Sequence, residues 1–476
     1  MELLTTIGLE IHVELKTATK MFCSSKNSPE ADSPNVHICP VCLAHPGTLP
    51  TINARAVQHV LKVGKAIGAT LADYTEFDRK NYFYPDLPKG YQLSQFAFPL
   101  VTGGQLCNIA ITRIHLEEDT ARSIHDTKTG ATLVDYNRAG VPLMELVTEP
   151  VIHSAEEAGR FARELQLLLR YLKVSDADME KGQMRVEANI SVAPEGQLGT
   201  KVEVKNLNSF RSMERAVQYE VARHKELLAS GKVVQQETRG WDEGRQITFA
   251  QRVKEGSADY RYFPDPDLPK VLCSEVSDLA VGALNLGELP DARRVRYQGL
   301  GIAPADADFL TRAPELATFF DAVLSEGVGS PDFARLATNY LTSDLVSLIR
   351  DIHGQDTEMR SKIPFSPSNF AQLIEMVIGG KLSSRGAKDT LRYMMTDSRD
   401  PETIATEQGL LQKGGEDELR PLAARLITEH PDIVAEYKQG KEKILQFLVG
   451  KAMKETKGSA NPTVMLNLLL EEVAKV

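Results

Sequence analysis

Glu10, His12 and Glu14 stand at alternate positions of IGLEIHVEL (7–15), with Leu9, Ile11, Val13 and Leu15 as the other phase. A period of two is that of a β-strand with one buried face, so carboxylate, imidazole and carboxylate share the polar side. Two readings are open there: a solvated face, or an oxygen-and-nitrogen site for a hard cation such as Mg²⁺. RIHLEED (113–119) repeats the pattern, setting Arg113, His115 and Glu117 against Ile114 and Leu116. It ends in Glu117, Glu118 and Asp119, a cluster that is costly to hold together unless water or a cation neutralises it. Turns disturb the phase there, so Glu117 and Glu118 both remain candidates to join Glu10 and His12.

TEFDRKNYFYPDLPKGYQLSQF (75–96) places Arg79 and Lys80 beside Tyr82, Phe83 and Tyr84, followed by Pro-Asp and Pro-Lys-Gly turns. Cations beside aromatics suit phosphate, sugar or base contacts, and the same rings could equally pack a strand. Cys39-Pro-Val-Cys42, with Cys23 sixteen residues before Cys39, looks like part of a zinc knuckle. A structural zinc needs four closed ligands. Three cysteines fall one short, with His37 or His45 as a possible fourth and a reduced, metal-free cysteine pair as the alternative. No Walker A loop, Rossmann glycine fingerprint or nucleophile-elbow serine occurs, so any chemistry must come from polar strand faces.

Those faces need a sheet to carry them. MRVEANISV (184–192) alternates Met184, Val186, Ala188, Ile190 and Val192 with Arg185, Glu187, Asn189 and Ser191, while Val202 and Val204 alternate with Lys201, Glu203 and Lys205. Several half-polar strands imply an antiparallel sheet whose polar side is used. Helices interrupt it from about Asn53, from Ser154, and over the segment that ends at Gly231. After about residue 290 the pattern is amphipathic helix throughout, with one helix beginning near Ser368 and closed by Gly379-Gly380, and a last one opening at Pro462. The expected class is α+β. Its layout is a largely antiparallel domain over 1–290, a helical domain over 291–408 and a small helical tail over 409–476, the last boundary read from Gly414-Gly415 and nearby charge. In the tail, Lys438, Lys441, Lys443, Lys451, Lys454 and Lys457 outnumber Glu442 and Glu455, which fits a solvated face or a phosphate-touching patch.

With 476 residues the chain exceeds one ordinary core. A formal charge of −10 excludes indiscriminate coating of nucleic acid but not a local basic patch. Five cysteines are too few for a disulfide scaffold at this size. The start lacks a basic n-region and an apolar h-region, and no apolar run reaches membrane-spanning length, so a cytoplasmic location is expected.

IGLEIHVELKT, CPVCLAHPGTLPTIN, FDRKNYFYPDLPKGYQLSQF, RIHLEEDTAR, VDYNRAGVPLMELVTEP, MRVEANISV, KVEVKNLNSFRSMERA, QETRGWDE and DYRYFPDPDLP, with SSRGAK and FLVGKAMKETKGSANP near the end, together resemble the B-subunit family of the bacterial aspartyl/glutamyl-tRNA amidotransferases. The resemblance implies a heterotrimer in which the glutaminase (the A component) supplies ammonia and a small C component braces it. The B component then uses ATP and Mg²⁺ to phosphorylate the side-chain carboxylate of Glu-tRNA(Gln) or Asp-tRNA(Asn), and ammonia displaces phosphate. It names residues 1–290 a catalytic cradle and the tail a tRNA contact. By this likeness Glu10, His12 and Glu118 are the catalytic metal ligands, with Glu117 and Glu187 as second choices. Arg79, Lys80, Tyr82, Lys205 and Asn206 are expected at the nucleotide or substrate; Asn206 and Asn208 could instead cap the next helix. Zinc-holding members carry Cys-x-Cys before Cys-x-x-Cys; here Ser25 replaces the second cysteine, and Cys23, Cys39 and Cys42 are the ligands if zinc binds. A non-catalytic tRNA-binding scaffold is the competing reading. It is weakened because a phosphate-binding surface gains nothing from clustered carboxylates unless a cation sits among them. No amidase-type Ser-Ser-Lys region or glutaminase cysteine motif is seen, so a separate glutaminase partner is expected rather than a stand-alone amide ligase.

Overall fold

The computed structural model describes residues 3–197, 199–253, 259–327, 331–354, 363–412, 416–439, 441, 444–456 and 460–475. Gly414-Gly415, which marked the expected tail boundary, and the tail residues Glu442, Lys443 and Lys457 lie outside the described residues. Backbone contacts divide the chain into two units, 1–289 and 290–476.

The first unit is built on a ten-stranded sheet among the described residues. The opening strand, Leu3–Glu14, lies near its middle, between Met184–Pro194 on one side and Pro142–Thr148 on the other, with Ile109–Glu118 next beyond. These pairings are antiparallel. Val202–Leu207 and Glu237–Asp242 run parallel, because the helix Phe210–Ala229 between them crosses over the sheet. The class is α+β with a largely antiparallel sheet.

The alternation sets the burial. Ile7, Leu9, Ile11 and Val13 are at most 1% exposed and share one core with Val57, Val60, Phe161, Leu165, Met213 and Val217. Each such side chain contributes roughly 1.5–3 kcal/mol by leaving water. A one-residue slip would bury Glu10 and His12 instead, so this register is strongly determined. The covering helices start where side-chain caps allow: Asn53 Oδ1 accepts from the Arg55 and Ala56 amides, and Ser154 Oγ from the Glu157 amide. Ser209 Oγ accepts from the Ser212 amide, so neither Asn206 nor Asn208 is the cap.

The second unit is helical, with one apolar cluster formed by residues between Tyr297 and Ala405 and another by residues between Leu419 and Val473. The helix expected near Ser368 begins at Pro367, capped by Ser366, because proline fits the first turn. No described helix is long and apolar enough to cross a membrane.

Candidate active site

Register brings the polar faces together. His12 pairs with Glu145 on the 142–148 strand, and Glu145 pairs with His115 on the 109–118 strand, so the three stand in one row across three strands. One row over, Glu10 pairs with Glu187. Cross-strand neighbours stand close enough for their side chains to interact. His12 Nε2 lies 3.3 Å from Glu145, 3.8 Å from Glu117 and 3.9 Å from Glu10. His115 Nε2 lies 3.2 Å from Glu145 and 3.7 Å from Glu117, and Ser94 Oγ donates to Glu117 at 2.9 Å.

A cleft of about 740 Å³ opens over this group, lined also by Lys80, Tyr82, Arg185, Lys205, Tyr260 and Tyr262. Lys205 Nζ is 2.8 Å from Glu187 and 3.4 Å from Glu203, and Thr238 donates to Glu203 at 2.8 Å. Donor atoms of Glu10, His12 and Glu145 lie within 4.8 Å of one another, as do those of His115, Glu117 and Glu145, and of Glu10, Glu187 and Glu203. Carboxylates with an imidazole and room for water suit Mg²⁺. The third set already holds the Lys205 ammonium, leaving the first two as the places where a cation gains most.

Mutual charge shapes the titration. Burial pushes Glu10 upward, and Glu145 and Glu187 add to it. Burial works against protonated His12, but the hydrogen bond and charge of Glu145 outweigh it and its pKa rises. Burial is likewise overcome at His115 by Glu145 and Glu117, which push it up to about 9. Burial disfavours ionised Glu145 and Glu117, yet His115 and His12 hold Glu145, and His115 with Lys80 holds Glu117, below the usual carboxylate range.

Of the residues expected at the site, Glu10, His12, Glu117, Glu187, Lys80, Tyr82 and Lys205 line this cleft. Three do not. Glu118 points through the opposite side of its strand, 2.6 Å from Lys89 Nζ and accepting from the Leu93 amide at 3.0 Å. It follows Glu117, so the period of two must separate them. Arg79 precedes Lys80 and is turned away by the same rule, held by Asp265 at 2.6 Å and Asp267 at 3.1 Å over the Tyr91 ring. Asn206 is exposed in a left-handed conformation (φ 63°), where the pairing of 184–194 with 202–207 shifts by one residue. Glu145, His115 and Glu203 complete the cleft without having been singled out as ligands. His115 was on the counted polar face; the signal for Glu145 was a lone carboxylate inside the apolar run VPLMELV.

Cys23, Cys39 and Cys42 also converge, their sulfurs within 4.8 Å of one another. No fourth donor among the described residues joins them. Around Cys42 Sγ stand Cys39 Sγ at 3.8 Å, Ser25 Oγ at 3.9 Å and the fully buried Lys20 Nζ at 3.8 Å, which also donates to the Tyr136 carbonyl at 3.1 Å. A closed structural zinc site wants four ligands, and an ammonium standing beside the thiols opposes another cation. The donor set does not fit zinc.

Residues 5–277 match the family model described as the GatB/GatE catalytic domain, and 318–473 the one described as the GatB domain. The chain belongs to the GatB family. The B subunit of the aspartyl/glutamyl-tRNA(Asn/Gln) amidotransferase of Carboxydothermus hydrogenoformans is 43% identical, covering 99% of this chain and 98% of the relative. The proteins of the same name from Thermomicrobium roseum and Brevibacillus brevis are 45% and 42% identical, with 99% and 98% of each chain covered. In this GatB-family chain every residue of the cleft falls within the matched catalytic segment.

Proposed function

We propose that this chain binds Glu-tRNA(Gln) or Asp-tRNA(Asn) with ATP and turns the side-chain carboxylate of the attached amino acid into an amide. A carboxylate is a poor acyl donor because oxide would have to leave. Transfer of the γ-phosphoryl group to one carboxylate oxygen gives an acyl phosphate and ADP. Ammonia then attacks the acyl carbon, the C–O bond to phosphate breaks, and the adduct loses a proton to leave the amide and inorganic phosphate.

Such a transfer requires positioning and charge neutralisation more than covalent help. Glu10, His12 and Glu145 would hold Mg²⁺, with Glu117 fixed beside them by Ser94. The ion would supply charge neutralisation on the phosphates. Lys80 flanks the carboxylates, and Lys205 is steadied by Glu187 and Glu203, so both present positive charge to a nucleotide without reorganising first. The one observation that carries this reading is the His12–Glu145–His115 row with Glu10 and Glu117 around it, flanked by Lys80 and Lys205 in the open cleft. A scaffold that only binds RNA would be weakened by those carboxylates.

The ammonia comes from a separate glutaminase, and a small third protein completes a heterotrimer that works in the cytoplasm. The cradle (1–290) does the chemistry, a helical domain (291–408) follows, and the tail (409–476) contacts tRNA.

The test is conversion of Glu-tRNA(Gln) by the heterotrimeric complex with γ-labelled ATP and Mg²⁺, for wild type and Glu10→Gln. Conversion and phosphate release are expected to fall on the order of 100-fold or more while tRNA binding persists. Unchanged conversion would remove Glu10 from the phosphoryl-transfer centre.

A further inference from the structure

We propose that a ladder of aromatic rings on the cleft rim docks the unpaired 3′ end of the RNA substrate, stacking its terminal bases so that the aminoacyl ester enters the cleft. This rests on the function proposed above.

Tyr84, Tyr82, Tyr260, Tyr262 and Phe96 form one continuous run of neighbouring rings. Successive centroids are 6.0, 5.9, 6.1 and 4.4 Å apart, the last pair stacked face to face at 11°. Tyr82, Tyr260, Tyr262 and Phe96 line the same cleft as Glu10, His12 and Glu117. The two ends of the ladder are open: Tyr84 is 59% exposed and Phe96 60% exposed. Phe96 keeps this exposure although Tyr262 already covers one of its faces. Exposed rings of this size are otherwise a liability, since they forgo the free energy of burial.

The backbone is built to present them. Arg261 sits in the left-handed region (φ 46°) between Tyr260 and Tyr262, a conformation that costs a non-glycine residue free energy. Asn81 sustains it: its side-chain amide donates to the Tyr260 and Arg261 carbonyls at 3.1 and 2.9 Å, and its backbone amide to the Tyr260 carbonyl at 3.0 Å.

Stacking on open rings is sequence-tolerant and suits unpaired nucleotides, whose bases are free to splay out. Lys80 Nζ stands 5.1 Å over the Tyr260 ring and supplies a cation for a nearby phosphate. The adenine of ATP is a second source of the same chemistry. One base, however, covers one ring face, and this ladder leaves an open ring at each of two separated ends. Several consecutive unpaired bases satisfy it; a single nucleotide does not.

The experiment uses the whole complex and two RNA probes, an acceptor-stem minihelix with its unpaired 3′ nucleotides and the same duplex made blunt. Dissociation constants for both, and for ATP, are measured on wild type, Tyr84→Ala, Phe96→Ala and Phe96→Tyr. Each alanine variant is expected to bind the tailed minihelix about tenfold more weakly, with blunt RNA and ATP unchanged and Phe96→Tyr near wild type. Equal losses on tailed and blunt RNA, no loss at either position, or a loss confined to ATP would each overturn the proposal. Because both ends are exposed, neither change removes core packing, and melting curves check this directly. A wild-type complex that prefers the tailed RNA but converts no Glu-tRNA would sink the proposed function and leave the ladder standing.

Discussion

Glu117 and Glu118 are adjacent in sequence, equally buried and placed in different chemistry. Glu117 faces the open cleft, 3.7–3.8 Å from two imidazoles and anchored by one hydroxyl. Glu118 faces the other side, locked to Lys89 at 2.6 Å and to a backbone amide, beside the cysteine pocket. A carboxylate in contact with an ammonium has spent its charge. One held 3.7–3.8 Å from imidazoles regains capacity for a metal ion when those rings give up their protons, which an ammonium does far less readily. Burial therefore does not distinguish a structural carboxylate from a functional one; the partner and its distance do.

The largest contrast is expected from substituting on each side. Glu145→Gln removes the carboxylate shared by both imidazoles and should reduce amide formation on the order of 100-fold or more. Glu118→Gln should lower conversion less than about tenfold yet cost roughly 1–3 kcal/mol of stability, because the half-buried Lys89 and the Leu93 amide lose their carboxylate partner. Steady-state conversion and denaturant unfolding of the two variants measure this. A Glu118→Gln chain that folds normally and converts nothing would erase the distinction between the faces.

The imidazoles sharpen it further. His115, among carboxylates, has its pKa raised to about 9 although burial opposes the charge. Its contribution to stability is complete below the ordinary value near 6.5 and lost as pH climbs through about 9. His59, on the helix Ala54–Ala66 that covers the apolar face, is 1% exposed, and burial lowers it to about 4. Its ring Nε2 lies 3.0 Å from the Lys16 carbonyl. Its contribution is present above 6.5 and lost as pH falls towards 4. Each window spans up to about 3 kcal/mol. Unfolding free energy followed from pH 4 to 9 with a chelator present should lose its alkaline limb in His115→Gln and its acid limb in His59→Gln. Curves parallel to wild type in both would refute the assignment.

The smallest expected effect on activity lies at the cysteines. Ser25→Cys adds a thiol where Ser25 Oγ now stands 3.9 Å from Cys42, and should take bound zinc from near none to about one equivalent, read by metal analysis, with conversion little changed. Stoichiometric zinc on the unsubstituted chain would show that three thiols and a donor from elsewhere suffice.

Much of the fold was legible because its signals are local. The period of two in 7–15 and 184–192, the caps at Asn53 and Ser154, and Pro462 at the last helix each act within a few residues. The site was legible in part, since Glu10, His12, Lys80 and Lys205 lie on polar strand faces. Alternation put Glu117 on the polar face, where it stands; Glu118 and Arg79 were expected at the cleft from the family likeness and from neighbouring aromatics, and one step of alternation turns each away. Asn206 was expected at the substrate and lies outside the cleft, because a bulge with positive φ breaks the alternation there. Glu145 was passed over because its strand, buried on both faces, reads as an apolar run.

By itself, then, the sequence determined which residues form strands and helices, which side of each strand is apolar, and which family the motifs resemble, since all of these depend on neighbours along the chain. The tertiary structure alone decided that His12, Glu145 and His115 share a row, that Glu118 belongs to Lys89, and that the rings from Tyr84 to Phe96 meet. Those facts depend on pairing register between segments from tens to more than a hundred residues apart. Register is set by burial of the whole sheet face at once rather than by any single stretch.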